Sequence, residues 1–357
     1  MSRSLLGTTA ILSLTAAMPA LAADYFGSFQ EIRPAYAQDW GVAEDSLQFE
    51  AGVRYWYSLG EQEHNIGPNS ETMNTKTNSG EAFVRIDDKM TRSYLEATGG
   101  YGIAHDGDYS TNGGVSLDLP AARLGYIGAD FGWLPFGSDS ASFGFVTGYQ
   151  YTNDSPDTGR VDFTTAETAG DISWSDQTGD WSVGGDSEIN NFDVHALKLG
   201  LAGRFDADVF DITGEAYATP YAWVSGTYGA YDAGFTDGYA GGPNGMSFLQ
   251  GSAASINGFG YGVGGKLMVG FHPTENLTIR VGGRASYLQG QYDATYDVAT
   301  VTHPTSNPDT IDPDTGMAIP ADPAYGPPTL SRQTYISDNN PFSMLRYGGL
   351  LEVSGRF

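Results

Sequence analysis

Ten segments of this chain alternate apolar and polar side chains with a period of two residues, which is the pattern of β-strands with one apolar face. In the first segment, residues 47–58, every odd-numbered residue from Leu47 to Tyr57 is apolar, and the even-numbered residues include Glu50 and Arg54. The other nine predicted strands are residues 80–88, 92–103, 121–134, 141–153, 191–205, 210–225, 256–271, 277–292 and 344–357. The alternation predicts an all-β fold.

The connections between these segments fall into two length classes that alternate along the chain. Short turns are expected around residues 89–91, 137–139, 206–208 and 272–275, and long polar or glycine-rich loops at 60–79, 104–120, 154–190, 226–255 and 293–343. Outer-membrane barrels combine short periplasmic turns, long extracellular loops and an even strand number. A soluble sandwich has no reason to sort its connections in this way. The sequence therefore predicts a transmembrane antiparallel up-and-down β-barrel of ten strands.

The N-terminus has the features of an export signal. Arg3 is followed by a mainly apolar, uncharged stretch from Leu5 to Ala17, and the small residues of Ala20-Leu21-Ala22 match a signal-peptidase site. The predicted organisation is a signal peptide at 1–22, cleaved after Ala22, a periplasmic segment at 23–46 and a barrel at 47–357. The predicted location is the bacterial outer membrane.

Composition limits the chemistry and the partners. The chain has no Cys, which excludes disulfides and thiol chemistry, and 43 acidic residues against 17 basic ones give a net charge of −26. Nucleic acid is not expected as a partner, because phosphate binding needs clustered basic residues. The expected partners are outer-membrane lipid and lipopolysaccharide, and a small solute remains an open alternative. The histidines are too scattered to suggest a metal site, and no cofactor is expected.

The C-terminal segment 347–357 ends in phenylalanine, and Leu351, Val353 and Phe357 share one strand face. This segment resembles the C-terminal assembly signal of bacterial outer-membrane proteins. The resemblance implies that the barrel-assembly machinery recognises the segment during biogenesis.

The polar face of the predicted strands carries charges of both signs, which must point inward because a charge facing lipid is costly. The residues predicted to line the lumen are Glu50, Arg54, Arg85, Glu96, Lys198, Arg204, Glu215, Lys266, Arg280, Arg284, Arg346 and Glu352. A ten-stranded barrel is only slightly wider than an eight-stranded one, whose interior side chains fill it. A narrow charged lumen is therefore expected, with a structural role or a restricted, porin-like path for small solutes.

A catalytic alternative starts from Asp193-Val194-His195 and Asp106-Gly107-Asp108. These motifs resemble those of the omptin proteases, ten-stranded outer-membrane barrels. The resemblance implies a hydrolase at the rim, with His195 as base oriented by Asp193, and with Asp106 and Asp108 activating water. However, Asp193 and His195 share strand parity with Leu197 and Leu199, which directs them towards lipid. The alternative stays open on sequence alone.

Overall fold

A computed structural model describes residues 47–66, 69–119, 121–138, 140–157, 190–207, 209–228, 254–302 and 329–357, with short segments at 173–175, 180–182, 246–250, 310–311, 315 and 318–319. The predicted signal peptide and periplasmic segment lie outside the described residues. Residues Gln48–Phe357 form one compact unit.

Ten long strands build this unit. They are β1 Leu47–Ile66, β2 Asn69–Asp88, β3 Ser93–Thr111, β4 Ala121–Gly137, β5 Ala141–Asp157, β6 Asn191–Ala207, β7 Phe210–Tyr228, β8 Ala254–Thr274, β9 Leu277–Thr302 and β10 Thr329–Arg356. Each strand pairs with its neighbours in sequence, and β10 pairs with both β9 and β1, which closes the sheet into a ring. The prediction of an antiparallel barrel with ten strands is confirmed.

The seam between β1 and β10 extends to the last residue of the chain. Val53 is opposite Val353, and Arg54 is opposite Glu352. Phe49 and Phe357 each donate a backbone N–H to the other's carbonyl oxygen, at N···O distances of 3.2 and 2.9 Å. Closure satisfies backbone groups that an open edge would expose to lipid, where each costs several kcal/mol.

A band of exposed apolar side chains surrounds the barrel on its outer face, and we call it the apolar band. It consists of Val53, Val84, Leu95, Ile127, Phe131, Phe143, Phe145, Leu197, Leu199, Leu201, Ile212, Val263, Leu267, Val269, Ile279, Val281, Leu351 and Val353. Trp133, Phe136, Phe205 and Phe271 flank it near the short turns, and Tyr57, Tyr149, Trp223 and Tyr287 flank it at the other end. An outward apolar band between two aromatic girdles is the lipid-facing surface of a transmembrane barrel.

The strands are longer than the sequence pattern indicated, and they extend into two of the expected loops. β1 continues to Ile66 and β2 begins at Asn69, so most of the loop expected at 60–79 is a continuation of this hairpin. The expected loop at 293–343 likewise contains the upper parts of β9 and β10. Strands of 17 to 28 residues exceed the roughly 10 needed to cross a membrane. The barrel wall therefore continues well beyond the apolar band on the side opposite the short turns.

The physical reason is that the hydropathy alternation disappears where the outer face meets water. Beyond Leu59 the outward residues of β1 are Glu61 and Glu63, and the buried inward residues are Gln62 and His64. Both faces are polar there, although the strand geometry and its pairing with β10 continue to His64. A strand prediction based on apolar alternation therefore ends too early.

The short turns are held by local hydrogen bonds. In the turn between β2 and β3, the carboxylate of Asp88 accepts bonds from the Met90 and Thr91 N–H groups and from the Thr91 hydroxyl. These bonds, led by the one from the hydroxyl, hold the pKa of Asp88 below its usual value. In the next turn Gly137 has a φ of 100°, a backbone conformation that favours glycine.

Candidate functional site

The interior of the barrel is lined by charged side chains from nearly every strand. All twelve residues predicted to line the lumen lie on the inward face. Seven of them are buried, namely Glu50, Arg54, Glu96, Lys198, Arg280, Arg346 and Glu352. Five are half-buried, namely Arg85, Arg204, Glu215, Lys266 and Arg284. The period of two residues places them inward, because the alternate positions of these strands face outward.

Arg54 on β1 is the centre of the largest cluster. It donates from Nη1 to Glu81 at 2.8 Å and from Nη2 to Glu96 at 2.9 Å. Its Nε donates to Glu352 on β10. One guanidinium therefore connects four strands of the ring through charge-assisted bonds to three buried carboxylates.

Glu352 connects this cluster to side chains on β9 and β7. It also accepts a hydrogen bond from Arg280 on β9, whose Nε donates to Asp211 on β7 at 3.0 Å. Arg280 further pairs with Glu50 on β1. On β8, Lys266 lies 3.5 Å from Glu96 and 3.6 Å from Glu215. We call this connected set the ionic plug. It consists of Glu50, Arg54, Glu81, Glu96, Asp211, Glu215, Lys266, Arg280 and Glu352.

Aromatic rings fill the space beside the plug. The guanidinium of Arg54 lies 3.8 Å from the ring centroid of Phe83, and that of Arg284 lies 3.8 Å from the ring of Trp56. Such cation–π contacts stabilise a guanidinium that has lost water. The cavity left among the plug residues has a volume of about 40 Å³. That is room for a few water molecules and not for a solute.

Beyond the apolar band the interior is closed by a second, aromatic cluster that sequence analysis did not predict. Phe192, Tyr228, Tyr292 and Phe342 are buried there. His64 packs between their rings, stacked on Phe192 with ring centroids 4.2 Å apart. Burial lowers the pKa of His64 to about 3, so its imidazole is neutral at physiological pH. The sequence contains one indication of this cluster. Phe192 occupies an inward position of its predicted strand, next to the expected loop at 154–190.

Between the two clusters lies a polar layer centred on Arg346 of β10. Its Nη2 lies 2.7 Å from the Asp154 carboxylate of β5, and it also donates to the hydroxyl of Thr75 at 3.2 Å. Asp154 belongs to a stretch predicted as loop, and its pairing with Arg346 was not anticipated.

The four residues of the catalytic alternative lie on the outer face and in two separate places. Asp193 and His195 are on β6, where Tyr151 Oη donates to Asp193 at 2.6 Å and Tyr149 Oη lies 2.6 Å from His195 Nδ1. Asp106 and Asp108 are on β3, and the pairs are separated by β4 and β5. Three strand spacings correspond to about 14 Å along the sheet. The arrangement does not bring the four residues into one site.

The three residues of the expected assembly signal also lie on the outer face. Leu351, Val353 and Phe357 are exposed, and Phe357 is the most exposed of the three. In the described part of the chain no group of three or more His, Asp or Glu residues could hold a metal ion. The same residues contain no helix that is long and apolar enough to cross a membrane.

Comparison with known proteins supports the fold and leaves the activity open. No protein-family model matches the chain, and no curated protein sequence matches it. The outer-membrane protease OmpT from Escherichia coli is similar in structure, with a TM-score of 0.53 over 89% of this chain and 99% of OmpT, at 10% identity. The translocator domain of the autotransporter NalP from Neisseria meningitidis matches with a TM-score of 0.31 at 11% identity. The match covers 97% of this chain and 98% of the NalP domain. The chain has the fold of an outer-membrane β-barrel.

Proposed function

We propose that this chain is a closed barrel of the bacterial outer membrane, in which the lumen is a structural core and not a conduit. Sequence analysis left a structural role and a restricted pore open. The observation that supports the structural role is the burial of the plug: Arg54, Glu96, Arg280 and Glu352 are each no more than 7% exposed. In a water-filled pore, side chains that line the path stay accessible to solvent.

The chemistry of the plug agrees with this role. Its three cations, Arg54, Arg280 and Lys266, are each paired with carboxylates on other strands, so none of these cations is free to bind a passing ion. Leaving one partner of a buried pair uncompensated is strongly unfavourable, which keeps the set together. Movement of a solute through the lumen would require several pairs to break at once. The rim-hydrolase alternative lacks comparable support, because Asp193 and His195 face outward and away from Asp106 and Asp108.

Planar-bilayer recording of the purified, folded protein tests this proposal. We expect no discrete conductance steps, under conditions in which a general-diffusion porin inserted into the same bilayers gives clear channels. Folding is checked beforehand by heat-modifiable migration on a detergent gel. Discrete steps that scale with salt concentration would show that the lumen conducts, and the restricted-pore role would replace the structural one.

A further inference from the structure

A cluster of polar and aromatic side chains lies on the outer face of the barrel, where the apolar band ends on the side opposite the short turns. We call it the outer polar patch. It consists of Arg123 on β4, Tyr151 and Asn153 on β5, Asp193 and His195 on β6, and Trp223 on β7. Leu197 and Leu199, the next outward residues of β6 towards the short turns, belong to the apolar band. The patch is therefore at the depth where lipid headgroups meet the barrel.

Hydrogen bonds hold the polar half of the patch in one arrangement. Arg123 donates from Nε to the Asn153 Oδ1 at 2.8 Å and from Nη2 to the Asn191 Oδ1 at 2.6 Å. The Asn153 amide in turn donates to Asp193 Oδ1 at 2.9 Å. Because amide oxygens, and not a carboxylate, accept its hydrogen bonds, the guanidinium is held in position without a direct ion pair.

The lack of an ion pair with any described carboxylate distinguishes Arg123 from the cations inside the barrel. In the described part of the chain, each of the nine inward-facing Lys and Arg residues lies within 4 Å of a carboxylate. Arg123 forms no ion pair with any residue that the structure describes. A half-buried, oriented guanidinium in this position is suited to a bidentate contact with a phosphate.

The other half of the patch consists of the aromatic rings of Tyr151, His195 and Trp223. His195 stacks on Trp223 with centroids 5.1 Å apart and an interplanar angle of 21°, and Tyr151 lies 5.1 Å from His195. The Trp223 Nε1 donates to Asn257 on β8 at 2.7 Å, which fixes the indole with part of its surface exposed. Flat aromatic faces beside hydrogen-bonding groups present one apolar and one polar side, which suits a sugar ring.

We propose that the outer polar patch binds the phosphorylated sugar headgroup of an outer-leaflet glycolipid, the lipopolysaccharide of Gram-negative membranes. The phosphate contacts Arg123, the sugar ring lies against His195 and Trp223, and the acyl chains follow the apolar band beside Leu197 and Leu199. The carboxylate of Asp193 does not prevent phosphate binding, because it accepts hydrogen bonds from Tyr151, Asn153 and Asn191. Its single negative charge balances only the charge of Arg123. Arg123 and Asp193 give the patch one positive and one negative charge, in a protein whose net charge is −26.

The test is a titration of the folded, full-length protein in detergent with bisphosphorylated lipid A, followed by native mass spectrometry. Loss of a charge-assisted contact in the Arg123→Gln variant should weaken binding about tenfold or more. The same variant should bind dephosphorylated lipid A as the wild type does. Trp223→Leu, which keeps an apolar outward side chain, should weaken binding of both glycolipids. The matched control is Lys76→Gln, which removes another exposed outward cation on β2 and should change neither affinity.

Heat-modifiable migration confirms that each variant is folded before titration. If Arg123→Gln does not fold, Arg123→Lys keeps the charge but loses the bidentate geometry, and it should also bind bisphosphorylated lipid A more weakly. The proposal is overturned if the Arg123 variant and Lys76→Gln bind bisphosphorylated lipid A equally well. It is also overturned if phosphatidylglycerol binds the wild type as tightly as the glycolipid, because the patch would then be a general anion site. Neither result depends on whether the lumen conducts.

Discussion

Replacing Arg54 by methionine is expected to destabilise the barrel by about 3 to 5 kcal/mol, the cost of removing one partner of a buried ion cluster. The variant leaves Glu81, Glu96 and Glu352 without the guanidinium that all three contact. Methionine keeps much of the side-chain volume, so the effect comes mainly from the lost charge. Urea unfolding in phospholipid vesicles, followed by heat-modifiable migration, gives the free energy of unfolding.

The matched control for this prediction is Lys76→Met, because Lys76 is an exposed cation on the neighbouring strand. A surface substitution of this kind should change stability by less than about 0.5 kcal/mol. If Arg54→Met and Lys76→Met unfold at the same urea concentration, the ionic plug does not stabilise the barrel.

Replacing Leu199 by arginine should destabilise the barrel by about 2 to 4 kcal/mol, which is the cost of a cation on the lipid face near the bilayer midplane. Leu199 is central on the outward face of β6, between Leu197 and Leu201, and all three are exposed in the apolar band. The same vesicle unfolding experiment measures the change.

Glu61→Arg is the control for the lipid-face experiment. Glu61 is also outward and exposed, but it lies beyond the apolar band on β1. Its replacement should leave the free energy of unfolding nearly unchanged. Equal effects at positions 61 and 199 would mean that the apolar band does not face lipid.

The sequence predicted the fold because a membrane imposes a strong pattern on the strands that cross it. Lipid requires apolar outward residues, so Leu197 and Leu199 revealed the face of β6, and the same parity directed His195 outward. The pattern also indicated which charges point inward. It could not show how they pair, because the partners of Arg54 lie on three other strands, up to 298 residues away in the chain.

The part of the barrel beyond the membrane was predicted less well for a related reason. There the outer face meets water, and small, polar and aromatic residues all occur on the inner face, so no simple alternation remains. His64 and Phe192 come together from strands that are distant in sequence, and neither residue has a local signal for that contact. Arg123 was missed because a single cation near the beginning of a strand does not indicate a site until its hydrogen bonds to Asn153 and Asn191 are known.

The central claim is that the described side chains fill the lumen, and cysteine accessibility tests it most directly because the chain has no Cys of its own. Ala202 faces inward on β6, is 7% exposed and packs with Tyr94, Leu134 and Val146. Ser138 is exposed at a short turn. Folded Ala202→Cys and Ser138→Cys variants in permeabilised vesicles are treated with a membrane-impermeant maleimide. A filled lumen predicts rapid labelling of the Ser138→Cys variant, whereas the Ala202→Cys variant should react no faster than it unfolds. Labelling of both folded variants at the same rate would contradict the closed barrel.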